Sequence, residues 1–266
     1  MDFQEFKQKV YKHFGLYLEG YKEPQLKRRI ESLMSTLKVQ TYDEYWRLLT
    51  GEPEQWRRFV DKITINVSEF FRNPDIFRRL EKEILPELLQ QRKVLKIWSA
   101  ACADGPEPYS VAIILKELTP HVRHHIEATD VDAGALEAAR RGVYTPRAVQ
   151  AVTPERLRRY FRQEGDYYYL SEEIKSMVSF RRHDLLSDAF GKNYDLILCR
   201  NVTIYFTSEV QDKLYRQFYQ ALAAGGVLFI GATESIFQYR EIGFEKIAPW
   251  FYRRPEEAKA WMHGKK

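Results

Sequence analysis

The sequence predicts an α/β protein: a mostly parallel sheet with helices on both faces, preceded by a small all-helical part. Two observations carry this. From about residue 94 onward, short apolar runs alternate with segments of helical periodicity, the pattern of strand–helix–strand crossovers. Before that point the apolar residues recur at helical spacing. A third observation places the chemistry. The run Asp195-Leu-Ile-Leu-Cys199 leads straight into Arg200 and Asn201, with Tyr205 close behind. A buried strand is delivering polar side chains to its carboxyl end, where open α/β sheets bind their ligands.

Taken in order, Phe3, Phe6, Val10 and Phe14 mark a first helix, and Leu26, Ile30, Leu33, Met34 and Leu37 a second one after Pro24. Thr41-Tyr-Asp-Glu44 reads as a capping box that starts a third. Pro53 opens a fourth, with Trp56, Phe59, Val60 and Ile63 on one face. A helix at 74–91 leads onward. Strands are expected at 94–98, 125–129, 177–181, 194–199 and 227–230, and helices at 107–118 and 133–141. Ser208-Glu-Val-Gln211 reads as a second capping box, before a helix between the last two strands. Residues 145–175 interrupt the alternation, and Tyr167-Tyr-Tyr-Leu170 there reads as a short strand in an inserted element. The domain plan is therefore 1–73 helical, 74–93 a linking helix, 94–254 the α/β domain with its insert at about 145–175, and 255–266 a tail.

Bulk properties exclude several classes. The chain is 44% apolar and 30% charged, as globular proteins are. No apolar run reaches membrane-spanning length, and Met1-Asp-Phe-Gln-Glu-Phe6 is too acidic for a secretory signal. With only Cys102 and Cys199 no disulfide framework is expected, and the cytoplasm is the default compartment. The net charge of +5 suggests nucleic acid, but residues 140–182 alone hold ten Lys/Arg against five Asp/Glu. A local basic face fits docking to an acidic protein better. His121, His124 and His125 have no carboxylate or thiol at ligand spacing, so no metal is expected. Ser99 and Ser110 lack a nucleophile elbow.

Candidate site residues follow the strand ends. Ala100-Ala-Cys-Ala-Asp-Gly105 offers small residues for a close backbone approach, but only Gly105 survives of a dinucleotide fingerprint. Asp130 ends the second strand, 25 positions past Gly105, where an acid can accept from ribose hydroxyls or cap the following helix. Thr64-Ile-Asn-Val-Ser-Glu-Phe-Phe-Arg72 joins the two parts and mixes Asn66 and Ser68 with a fixed cation, Arg72.

Five segments in order carry a resemblance: Thr64–Arg72, Trp98–Ser110, Ala128–Tyr144, Asp195–Phe206 and Gly225-Gly-Val-Leu-Phe-Ile-Gly-Ala-Thr-Glu-Ser235. Together they resemble the chemotaxis receptor methyltransferases, the CheR family, over nearly the whole chain. The resemblance implies a class I methyltransferase fold with an all-α N-terminal domain and an inserted antiparallel β subdomain. It further implies transfer of a methyl group from S-adenosylmethionine to glutamate side chains on the cytoplasmic helical region of chemoreceptors.

Position by position it places Asn66, Ser68, Arg72, Glu107, Asp130, Asp184, Leu185, Arg200 and Asn201 at the cofactor, beside the loop closed by Gly105, with Asp130 on the ribose and Asp184 and Leu185 bordering the adenine. Arg72 and Tyr205 would flank the reacting methyl. Lys27, Arg28 and Arg29 match the basic helix that faces the acidic receptor. Three positions depart from the family pattern: Pro106 for Glu, Ser68 for Thr and Asp184 for Asn. The loop Arg162-Gln-Glu-Gly-Asp166 lacks the Gly-x-Gly of members that grip a receptor's C-terminal peptide, so no tight tether is expected. No metal, nucleic acid or membrane insertion enters this reading, and a monomer is the default. The alternatives are a carboxyl methyltransferase of another acceptor and a binding module without turnover.

Overall fold

The computed structural model describes residues 1–64 and 68–256. Four helices come first: α1 (Phe3–Phe14), α2 (Glu23–Thr36), α3 (Tyr42–Gly51) and α4 (Pro53–Thr64). Each has one apolar stripe, and the stripes meet around Phe6, Ile30, Tyr45, Phe59 and Ile63, all essentially inaccessible to solvent. The Thr41 capping box forms as read: the hydroxyl accepts from the Glu44 amide at 3.3 Å while the Glu44 carboxylate accepts from the Thr41 amide at 3.3 Å.

A continuous helix follows as α5 (Pro74–Arg79), a π-turn at Leu80–Ile84 and α6 (Leu85–Gln91). The π-turn has a local cause. Pro86 at the start of α6 has no amide hydrogen to donate back, so the ladder widens just before it.

The remaining elements are β1 (Lys96–Ala100), α7 (Pro106–Leu118), β2 (His125–Asp130), α8 (Ala133–Arg141), β3 (Val143–Tyr144), α9 (Pro154–Tyr160), β4 (Phe161–Glu164), β5 (Tyr167–Leu170), α10 (Glu172–Lys175), β6 (Val178–Arg182), β7 (Tyr194–Cys199), α11 (Ser208–Ala221), β8 (Leu222–Ile230), α12 (Tyr239–Ile242), β9 (Glu245–Ala248) and β10 (Phe251–Arg253). Seven strands form one sheet in the order β6-β2-β1-β7-β8-β10-β9. The first five are mutually parallel, and β10 runs antiparallel to both neighbours. Strand order reverses at β1, so the crevice at its carboxyl end is the topological switch point. A separate antiparallel sheet, β3-β5-β4, makes the insert.

One expectation needs correction. The cap of α11 is Thr207, whose hydroxyl accepts from the Val210 amide at 3.5 Å, and not Ser208. Gln211 instead donates to the carbonyls of Thr203 and Phe206. Of the two uses open to Asp130, the capping of α8 is taken by Asp132, which leaves Asp130 available to the crevice. The antiparallel hairpin β9–β10 went unread. His124 has a structural role, its Nδ1 accepting from the Leu95 amide at 3.1 Å. Among the described residues no helix is long and apolar enough to cross a membrane.

Candidate active site

A cavity of about 310 Å³ opens between the helical bundle and the carboxyl ends of β1, β2 and β7, a size suited to a small organic ligand. Ser68, Arg72, Glu107, Asp130, Asp184, Leu185, Arg200, Asn201 and Tyr205 all line it. Asn66 lies outside the described residues. Gly105 is not on the wall; its part is to turn the chain.

The loop after β1 makes the floor. Ala101 (φ 63°), Ala103 (φ 48°) and Gly105 (φ 98°) all take left-handed backbone, a cost of order 1–3 kcal/mol for a residue with a Cβ. The surroundings fix the loop. The Cys102 amide donates to the Thr129 carbonyl at 2.9 Å, the Ala103 amide to Asp130 Oδ2 at 2.8 Å, and the Tyr144 hydroxyl to the Asp104 carbonyl at 2.9 Å. Such backbone brings main-chain atoms close to a ligand. At Gly105 a Cβ would lie 2.9 Å from Ala139 Cβ, 3.0 Å from the Tyr109 ring and 3.2 Å from the Tyr144 hydroxyl. Gly105→Ala is expected to destabilise by about 2 kcal/mol or more, read as a lower calorimetric midpoint; an unchanged midpoint would refute the crowding. Pro106 does no harm here. It occupies the first turn of α7, where no amide donor is needed.

Arg72 stands on an equally constrained turn. Phe71 (φ 52°) and Asn73 (φ 62°) flank it in the left-handed region. The Phe70 amide donates to the Ala148 carbonyl and the Phe71 amide to Ser110 Oγ, both at 2.9 Å. Arg200 Nη2 donates to the Arg72 carbonyl at 2.8 Å and to Asn73 Oδ1 at 2.9 Å. Arg200 therefore ties β7 to this turn and pairs with Glu107 at 3.3 Å. Burial raises the Glu107 carboxyl and lowers the Arg200 guanidinium, and the mutual attraction opposes both shifts.

Further acids stand on the rest of the wall. Burial pushes Asp130 up to about 6, although it accepts from the Asp132 and Ala103 amides. Burial also raises Asp184, whose two oxygens accept from the Leu186 amide at 2.9 Å and the Tyr17 amide at 3.2 Å. Asp104, beside the cavity, is likewise raised to about 6. The Tyr21 phenol stays neutral, held up by burial and by Asp184 and Asp130. Acids raised by burial suit a ligand with positive charge and hydroxyl donors. S-Adenosylmethionine, with its sulfonium, ammonium and ribose, has that character, so the residues fit it. Cys102 also lines the cavity; burial holds its thiol protonated.

The basic helix divides. Lys27 and Arg28 on α2 are exposed. Arg29 donates to the Ile63 carbonyl at 2.9 Å and lies 4.6 Å above the Tyr205 ring. It packs against the site instead of facing outward. Two residues were missed by sequence reasoning, Lys22 and Glu234. Lys22 donates its ammonium to the Ile204 carbonyl at 2.8 Å and its amide to the Tyr205 carbonyl at 2.9 Å. Both grip backbone, and backbone contacts leave no signature in residue type.

A switch-point cavity with acidic walls, beneath a helical cap and at the strand ends of a sheet of this order, suits an S-adenosylmethionine-dependent methyltransferase. Residues 66–249 match the family described as CheR methyltransferase, SAM binding domain, and residues 1–64 match CheR methyltransferase, all-alpha domain. The chain belongs to the CheR methyltransferase family. It is 40% identical over 252 residues to the chemotaxis protein methyltransferase of Listeria innocua, covering 94% of this chain and 96% of the relative. It is 34% identical over 247 residues to that of Vibrio parahaemolyticus (88% and 89% covered). With the Borreliella burgdorferi protein of the same description identity is 32% over 260 residues (92% and 91% covered).

Proposed function

We propose that this methyltransferase esterifies glutamate side chains on the cytoplasmic helical region of chemoreceptors during chemotactic adaptation, working in the cytoplasm. The observation that carries the reading is one cavity that holds Arg72 and Tyr205 together with the buried acids Glu107, Asp130 and Asp184. Exposed Lys27 and Arg28 on α2 supply positive charge for an acidic receptor helix. The domain plan given above, 1–73, 74–93, 94–254 and 255–266, is part of the proposal. So is the absence of a tight receptor-peptide tether at the β4–β5 turn.

S-Adenosylmethionine supplies a methyl group already activated on a sulfonium, open to direct displacement by an oxygen nucleophile. A glutamate carboxylate is ionised at neutral pH, so the protein need supply no strong base. Its task is alignment and exclusion of water, worth up to roughly 7–11 kcal/mol. In this proposal Ser68, Arg200 and Asn201 hold the amino-acid end, while Glu107 accepts from its ammonium. Asp130 accepts from the ribose, and Asp184 and Leu185 border the adenine. Arg72 holds the glutamate through its two-donor fork, and Tyr205 orients the same oxygen.

The Asp130 assignment has a pH signature. Its folded-state value of about 6 lies above the ordinary carboxylate value, so the stability it contributes is present at low pH and lost as pH rises toward 6. Ribose hydroxyls prefer the ionised form. Affinity for S-adenosylhomocysteine is therefore expected to rise roughly tenfold between about pH 5 and pH 7 and then level off. Calorimetric titration of Asp130→Asn should give a flat profile. A profile that persists there and vanishes in Asp104→Asn would move the assignment to Asp104.

The direct test uses methyl-labelled S-adenosylmethionine, the purified protein and a receptor cytoplasmic fragment. Label on the receptor, released as methanol by mild base, supports a carboxyl methyl ester. An unlabelled receptor, with cofactor binding intact, would refute the receptor assignment.

A further inference from the structure

Glu234 lies beyond the end of β8 and is only 4% exposed. Its carboxylate accepts five hydrogen bonds, all from neutral donors. Oε1 takes the Val202 amide at 3.1 Å, the Thr203 amide at 2.9 Å and the Thr203 hydroxyl at 2.7 Å. Oε2 takes the Asn201 amide at 2.9 Å and the Gly231 amide at 2.6 Å. Four of the five come from Asn201–Thr203, the stretch that carries two cavity residues, Asn201 and Val202, and leads within a 3₁₀ turn to Tyr205.

This stretch does not hold its shape unaided. Asn201 has left-handed backbone at φ 61°, and three successive amides point one way, a concave nest that favours an anion. Glu234 fills that nest from within the protein. Gly231 makes room for it: a Cβ there would lie 2.7 Å from Glu234 Oε2 and 2.8 Å from the Asn201 amide. Lys22 grips the far end of the same loop through the Ile204 and Tyr205 carbonyls. The Glu234 side chain is not among the residues that line the cavity.

We propose that Glu234 is a positioning residue for methyl transfer, setting the backbone from which Asn201 and Tyr205 reach the reacting groups. The inference rests on the role given to Tyr205 above. Glu234→Gln keeps the volume but turns an NH₂ group toward amide donors. Misplacing a reacting group by about 1 Å costs roughly 100-fold, so kcat per S-adenosylhomocysteine-binding site should fall on that order while affinity for that ligand changes only several-fold. In a Tyr205→Phe background the same substitution should cost much less, because both act on one group. Amide exchange at residues 201–203 should quicken in Glu234→Gln, a readout independent of the acceptor. Glu234→Asp, which keeps the charge, should recover part of the rate.

Unchanged kcat per binding site, strict additivity with Tyr205→Phe, or unaltered exchange at 201–203 would each overturn the proposal. Were the unsubstituted enzyme to leave the receptor fragment unlabelled while exchange quickened in the variant, the receptor assignment would fall and the positioning of the loop would stand.

Discussion

Arg72→Ala is expected to lower kcat for receptor methylation by roughly 100- to 1,000-fold, the scale of losing one preorganised electrostatic contact. Its affinity for S-adenosylhomocysteine should change far less. The asymmetry follows from where Arg72 stands. Its backbone carbonyl is tied into the protein frame through Arg200, between the left-handed residues Phe71 and Asn73. These backbone ties remain when the side chain is truncated, and the truncation removes a group that lines the cavity. Full neutralisation of the attacking carboxylate would weaken it as a nucleophile, so a holding Arg is useful only if it orients more than it withdraws charge. Arg72→Lys should restore charge but not the planar fork, giving partial activity. Equal losses in kcat and in S-adenosylhomocysteine affinity would show instead that Arg72 is only a ligand of the cofactor.

The loops that build this site differ in how much of them can be read from sequence. Residues 133–141 and 194–199 have the same bounds in sequence and structure. The first has Asp132 and Gly142 as punctuation at its two ends, and the second is an apolar run buried on both faces. The β9–β10 hairpin escaped because its strands are only four and three residues long and lie at a sheet edge, with no sustained alternation. The cap at Thr207 was misread because Thr-Ser offers two adjacent caps, and only the packed register selects one. At the site, nine of the residues that line the cavity were named through the resemblance. Ala101 and Ala103 were not, because alanine does not announce a left-handed conformation. Glu234 and Lys22 act on backbone amides and carbonyls, partners that every residue possesses. Arg29 was read as surface because its helical neighbours Lys27 and Arg28 are surface, and the Tyr205 ring it covers arrives from a distant segment.

Arg200→Leu should be the most destabilising single change in the site, by about 3–5 kcal/mol, as when one member of a buried ion pair is removed. The Arg200 side chain is 2% exposed and that of Glu107 12%. The guanidinium also packs 5.1 Å from the Phe77 ring and 4.6 Å from the Phe229 ring. Burial displaces both partners against their charged forms, so the pair is a poor source of net stability yet costly to break. At about 2–4 °C per kcal/mol, the midpoint should drop by roughly 6–20 °C.

The loss should depend on pH. Without Arg200 the Glu107 carboxyl rises further and can take up a proton. A carboxyl raised in the folded state stabilises at low pH, and that contribution is lost as pH rises through its folded value. The deficit of the variant should therefore be smaller near pH 5.5 than near pH 8. Adding Glu107→Leu should recover much of the stability at pH 8 while leaving cofactor binding impaired, because the orphaned charge is gone but the site is not rebuilt. Calorimetry at the two pH values decides it. A deficit under about 1 kcal/mol would place the pair with weakly contributing surface bridges. A deficit equal at both pH values would mean that Arg200 acts through the Arg72 carbonyl and Asn73 alone, with Glu107 already neutral in the unsubstituted protein.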